Sequence, residues 1–292
     1  GDYERMLDEA RLDAVVIATP THLHKDMALA ALRRGVNVLL EKPMALHLGE
    51  AQAIVRAARA RRKVVTVYQP ARLGAAHQQL LRLIGSGRIG PVVRVQAGLF
   101  SYVRRNDWQA LRRYGGGMLS NYGAHAIDEV LALIGYDVRR IFCQLQRVAT
   151  LGDADDAVKV VLQTRTGVLG DVDISQASAI SPWRIIVWGR YGAIRQQGDV
   201  FHLRYLRPEK LPPRTLNRSL ASAGRKYPTE DLPFIEEEVK TDPALAVDVY
   251  ADLAQAIREG TPPYVRPEAT LAVMRVIERC RRDTGGVSEM RR

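Results

Sequence analysis

Cysteine is almost missing from this chain. Only Cys143 and Cys280 occur among 292 residues, with no CxxC pair and no metal-ligand spacing. That scarcity excludes a disulfide framework and a thiolate metal centre; two buried thiols are expected, and no metal. Long apolar runs are missing too. No stretch of ~18 uninterrupted apolar residues exists, and the opening residues lack a basic-then-apolar layout, so neither membrane insertion nor secretion is indicated. A soluble, cytoplasmic protein is expected. Aromatics are sparse at 6%, so the core must be aliphatic, and 47% hydrophobic against 26% charged residues supplies it. Acidic residues are outnumbered, 32 against 43 basic, for a net charge of +11. The arginines are scattered and interrupted by Glu and Asp, without a zinc-finger or RNA-recognition signature. They read as a solvated surface rather than a nucleic-acid footprint, although a basic cleft would attract an anionic dinucleotide.

The length favours two compact units. Residues 14–18, 36–40 and 64–68 are apolar and β-rich. Between them Leu23, Met27, Ala30 and Ala31, and then Ala51, Ile54, Val55 and Ala58, recur at helical spacing. Continuous apolar strands alternating with helices predict a parallel sheet covered on both faces. After Tyr68 the pattern changes. A helix over 75–84, a strand over 92–99 and a long helix over 118–134 precede strands at 138–148, 157–163, 168–176, 184–188 and 194–205. Turns at Thr166-Gly167 and Tyr191-Gly192 predict hairpins in an antiparallel sheet backed by helices. Residues 207–243 predict a long surface excursion. Helices over 244–259, with Leu245, Val249, Leu253 and Ile257 on one face, and over 267–282 close the chain.

Gly85-Ser86-Gly87-Arg88-Ile89-Gly90 spells G-x-G-x-x-G. A dinucleotide fingerprint follows a strand and opens a helix, whose N-terminal amides hold the pyrophosphate. This copy follows a helix and opens a strand, so Gly85 and Gly87 are expected to be stop and turn glycines. No other copy is present. A first βαβ unit would have to precede residue 14, and a fragment or a gene that has lost that unit is the expectation, with weak or absent dinucleotide binding.

Ala18-Thr19-Pro20-Thr21-His22-Leu23-His24, followed after one helix by Glu41-Lys42-Pro43, places two motifs at carboxyl ends of parallel strands, where ligands bind. Further on, Gly115-Gly116-Gly117 enters a helix carrying Asn121, His125 and Asp128 at i, i+4 and i+7. These blocks closely resemble the Gfo/Idh/MocA oxidoreductases, which include glucose-fructose oxidoreductase and inositol dehydrogenase types. The oxidation of a secondary alcohol that the resemblance implies needs a cation and a proton acceptor at one oxygen. Lys42 suits the first role and His125 the second.

The resemblance implies residues 1–73 as the later part of a Rossmann-type parallel-sheet domain. It implies residues 74–292 as an α+β domain with a large, mostly antiparallel open sheet, for substrate binding and oligomerisation. It further implies NAD or NADP as cofactor, a sugar or polyol substrate, and a homo-oligomer, dimer or tetramer. Ala18, Thr19, Pro20, His24, Glu41, Lys42 and Pro43 are the implied cofactor contacts, with a cis bond at Pro43. Lys42, His125 and Asn121 are the implied catalytic group, Asn121 standing where the family carries Asp. Asparagine orients a hydroxyl but accepts no proton at neutral pH. Arg72, Trp108, Asn121, His125 and Asp128 are the candidate substrate contacts. Tyr68, Gln69 and Arg72 line the site or form a linker, and Tyr102, Arg105, Asp107, Trp108 and Gln109 lie where a substrate loop would. For Trp108, packing and sugar contact remain equally open. The second function considered is a truncated, non-catalytic homologue serving as a sugar-binding or oligomerisation module.

Overall fold

The computed structural model describes residues 2–216, 218, 229–283 and 288–289. The chain opens with α1 (Tyr3–Glu9), whose first turn is capped by the Asp2 carboxylate. β1 (Ala14–Ile17), α2 (His24–Arg33), β2 (Asn37–Leu40), α3 (Leu48–Arg61) and β3 (Val65–Val67) build a three-stranded parallel sheet in the order β1-β2-β3. Every residue of β2 is buried, as a strand covered on both faces requires.

α4 (Pro70–Leu73) and α5 (Ala75–Gly85) lead to β4 (Val92–Phe100) and the long α6 (Met118–Ile134). Then come β5 (Val138–Arg147), β6 (Ala157–Thr164), β7 (Leu169–Ser175), β8 (Ile185–Gly189), β9 (Gly192–Gln197), β10 (Val200–Tyr205) and β11 (Ile235–Lys240). α7 (Val249–Glu259), α8 (Pro267–Asp283) and the short β12 (Ser288–Glu289) close the chain. The larger sheet has the order β11-β10-β9-β8-β4-β7-β6-β5-β12, and only β4–β7 and β5–β12 pair in parallel. β6 alternates cleanly: Val158, Val160 and Leu162 are buried beneath the helices while Lys159 faces outward with Asp171 and Asp173.

Three expectations change. Residues 194–205 form a hairpin, not one strand. Gly198, at φ +61°, supplies the left-handed residue that turns β9 into β10. The excursion over 207–243 contains β11, whose Ile235 and Val239 pack on the core while Glu236 and Glu238 face out; residues 217 and 219–228 of that stretch lie outside the described residues. The helix expected from 244 begins only at Val249, where the Asp248 carboxylate caps it by accepting from the Tyr250 and Ala251 amides. The glycine-rich stretch at 85–90 is, as read, the turn between α5 and β4.

The closing helices return to the smaller sheet. Leu39 of β2 packs with Leu73, Val249, Leu253 and Val265, and the Thr66 hydroxyl donates to the Val265 carbonyl at 2.9 Å. One continuous cluster of buried side chains joins the two sheets through α6 and α8. No helix among the described residues is long and apolar enough to cross a membrane.

Candidate active site

The carboxyl ends of β1 and β2 are tied together by one imidazole. His24, at the start of α2 and 1% exposed, places Nδ1 3.0 Å from the Pro43 carbonyl and Nε2 2.9 Å from the Thr19 carbonyl. Both ring nitrogens face backbone, so His24 braces 18–20 against 42–43 rather than reaching toward a ligand itself. The Lys42–Pro43 bond is cis.

Opposite these strand ends stands the N-terminus of α6. Gly117 enters the helix at φ +104°, and a Cβ there would collide with the Asp155 carboxylate. Asp155, from the β5–β6 connection, does what a glycine cap cannot: its Oδ2 accepts from the Leu119 amide at 2.7 Å and its carbonyl from the Met118 amide at 2.9 Å. Burial pushes its carboxyl up to about 6, against the lowering pull of the Leu119 amide. Arg281 of α8 donates to the Leu46 carbonyl and to the Ser120 hydroxyl, each at 2.6 Å, locking the loop after Pro43 against the first turn of α6.

Lys42 and Asn121 meet across this gap. The ammonium Nζ donates to Asn121 Oδ1 at 2.7 Å and to the Asn121 carbonyl at 3.2 Å. Asn121 Nδ2 donates in turn to Gln109 Oε1 at 2.9 Å. Thr21, Pro43, Trp108, Gly115, Gly116 and Ser120 complete the lining of a narrow cleft, ≈ 40 Å³ in volume. Trp108 is 40% exposed at its mouth, so it is a rim residue and not a packed one. Burial lowers the proton affinity of Lys42, the Arg105 charge adds to that effect, and Glu41 opposes it.

His125 follows Asn121 by four residues, about 6 Å along the helix axis. Its Nδ1 lies 3.1 Å from Gln69 Oε1, beyond the end of β3. With the amide oxygen accepting, Nδ1 carries the proton and Nε2 keeps its lone pair. Burial, then the nearby Lys42 ammonium, push His125 down to about 3, so the ring is neutral at neutral pH.

Two expected substrate contacts go elsewhere. Asp128 has no exposed surface and pairs with Arg72, Nη1 to Oδ1 3.2 Å. The Arg72 guanidinium also stacks over Tyr264, 5.5 Å from the ring centroid, so the pair joins α4, α6 and the α7–α8 connection behind the cleft. Burial raises Asp128 to about 6, outweighing Arg72. The i+7 spacing put Asp128 on the right helix but on its buried side. Sequence reasoning missed the partners of these groups: Asp155 under Gly117, Arg281 on Ser120, and Glu129, which binds the Arg184 guanidinium at 2.5 Å and lies 3.6 Å from His77. Only the carboxylate-rich stretch Asp153-Ala154-Asp155-Asp156 hinted at the first.

Comparisons with known proteins show the family and the fold. Residues 1–69 match a family model described as an oxidoreductase family with an NAD-binding Rossmann fold, and residues 77–195 match the GFO/IDH/MocA C-terminal domain. The uncharacterized oxidoreductase YhhX of Escherichia coli is 26% identical over 96% of this chain and 80% of its own. Inositol 2-dehydrogenase 2 of Saccharopolyspora erythraea is 31% identical over 58% of this chain, a stretch spanning about half (49%) of that relative. Among solved structures, an oxidoreductase from Agrobacterium radiobacter in complex with NAD+, L-tartaric acid and magnesium has the same fold. Its TM-score is 0.80 at 18% identity, covering 98% of this chain and 81% of that one.

Proposed function

The chain belongs to the Gfo/Idh/MocA oxidoreductase family, its first 69 residues lying in the NAD-binding Rossmann part, and from that premise we propose that it moves hydride between a nicotinamide dinucleotide and a secondary alcohol or ketone of a sugar, polyol or sugar derivative. The observation that carries this reading is the meeting of the Lys42 ammonium and the Asn121 amide one helical turn from a neutral imidazole. The donor set fits the nicotinamide end of the cofactor: Ala18, Thr19 and Pro20 after β1, and Glu41, Lys42 and Pro43 after β2, form one edge that His24 holds in register. Bound there, the nicotinamide ring would accept or return the hydride.

The chain's own groups handle the oxygen. His125 Nε2 takes the hydroxyl proton, Gln69 having fixed Nδ1 as the donor. Lys42 stabilises the negative charge that develops on the same oxygen, and Asn121 fixes both the ammonium and the substrate hydroxyl. The cleft is narrow, and Trp108, exposed at its mouth, stands where it would cover one face of a bound sugar. Inositol 2-dehydrogenase 2 is named for a polyol, which supports that substrate class here. Self-association as a dimer or tetramer belongs to the same reading, with the exposed Phe142 on the outer face of the larger sheet in support.

The test is a panel of sugars and polyols incubated with NAD+ or NADP+, followed by absorbance of the reduced nicotinamide. Turnover of at least one is expected. No turnover, with sugar binding or self-association retained, would assign the chain to the non-catalytic module instead.

A further inference from the structure

The segment between β4 and α6, residues 102–114, carries Arg104, Arg105, Arg112 and Arg113 against a single acid, Asp107. It also supplies Trp108 and Gln109 to the cleft. Arg105 is the arginine drawn inward, its side chain 24% exposed. Its Nη1 donates to Gln109 Oε1, the oxygen that also accepts from Asn121 Nδ2. Because Asn121 Oδ1 receives Lys42 Nζ, an unbroken row runs Arg105–Gln109–Asn121–Lys42, with a cation at each end and its last three members lining the cleft.

Two cations at the ends of one hydrogen-bonded row repel one another, and the Arg105 charge is felt at Lys42, where it disfavours the ammonium. Asp107 offsets this weakly. It lies 3.4 Å from Arg105 Nε, is 47% exposed, and its Oδ1 also accepts the Gln109 amide at 3.0 Å. A guanidinium has five N–H donors. Among the described residues, those of Arg105 Nη2 have no partner in hydrogen-bond range. A neutral polyol would be served by the amides of Gln109 and Asn121 alone. An arginine fork at the far end of the row matches a planar or tetrahedral oxyanion instead.

We propose that this site takes acidic sugar derivatives, with one hydroxyl held between Lys42 and His125 and a carboxylate or phosphate of the same molecule received by the Arg105 guanidinium. The assignment rests on the hydride-transfer reading above. It makes Arg105 a specificity-determining residue, and the basic 102–114 segment then serves to gather an anion toward the cleft.

The experiment compares gluconate, glucuronate and glucose 6-phosphate with glucose and myo-inositol, in the wild type, Arg105→Gln and Arg105→Lys. The readout is the ratio of kcat/KM for acidic over neutral probes. In the wild type that ratio is expected to be about tenfold or more. It collapses toward unity in Arg105→Gln and is partly kept in Arg105→Lys, which offers one point charge in place of a fork. The best acid among the three separates carboxylate from phosphate. A merely structural role would depress both probe classes alike and leave the ratio standing, which would overturn the proposal. So would a wild type that prefers neutral probes, or an Arg105→Gln effect confined to KM for the cofactor, which would assign the guanidinium to the cofactor's phosphates.

Should no probe turn over, the hydride-transfer reading fails, and binding alone then decides this one. Acid probes raising the melting temperature of the wild type but not of Arg105→Gln would sustain it, and the lack of any acid-selective rise would end it.

Discussion

Lys42 acts on His125 before any substrate arrives. Burial, together with the ammonium, holds the imidazole down at about 3, and burial with Arg105 weakens the ammonium's hold on its own proton. The consequence for rate is directional. Because His125 loses its proton far below neutrality, kcat/KM should stay level from about pH 5 through neutrality. It should fall on the alkaline side, as Lys42 loses its charge, at a pH below the ordinary lysine value of 10.5. A pH–rate profile of the wild type checks this, and Lys42→Met should abolish the alkaline limb along with most of the rate. Asn121→Asp tests the residue between them. A carboxylate 2.7 Å from Nζ would favour the ammonium and move that limb upward, whereas an unmoved limb would mean that Asn121 does not govern Lys42. Lys42, Asn121 and His125 stood out in the sequence as candidates because their motifs are local. Gln69 as the partner of His125 was not, since 56 residues separate them and only the fold brings them to 3.1 Å.

At the scale of elements, α6 is the piece on which the site depends, and Asp155 holds its first turn. Asp155→Ala should cost about 1 kcal/mol in stability through the lost cap, while Asp155→Asn, which keeps an acceptor oxygen, should cost less. Denaturant melts of the two variants read the difference. Asp155 and Asp128 both have folded values raised to about 6, above the ordinary 3.8. A raised value means the native state binds the extra proton. The stabilisation is complete below 3.8 and is lost as pH rises through 6, so these groups make the protein more stable near pH 5 than at pH 7. Asp155→Asn should flatten that slope, and an unchanged slope would contradict the assignment.

The elements themselves followed from periodicity wherever one face was plainly apolar, as in α3, α6 and β6. The β9–β10 turn was hidden because Gln197-Gly198-Asp199 interrupts a β-rich run with only one conformational signal. β11 was hidden because Ile235 and Val239 are separated by three glutamates, a pattern that reads as solvated until a neighbouring strand supplies the pairing.

At the scale of the molecule, the chain order suggests two units divided near residue 73, yet the larger of two clusters of buried side chains runs across both sheets. α8 packs under α3 and α6 at once, and Arg281 on it grips both walls of the cleft. Calorimetric unfolding is therefore expected to give one cooperative transition, and two well-separated transitions would contradict the shared core. Sequence reasoning found two sheets but not this interlock, because the contacts between residues near 40 and near 250 leave no local mark.

What makes the molecule an enzyme, on this reading, is an ammonium, an amide and a neutral imidazole acting together on one substrate oxygen beside a nicotinamide ring. The deciding experiment is the rate of reduced-nicotinamide formation by Lys42→Met and His125→Ala on a substrate the wild type oxidises, with folding of each variant checked by its melting temperature. Each folded variant is expected to lose activity by about a hundredfold or more. Wild-type rates in either one would refute the joint action of the three groups.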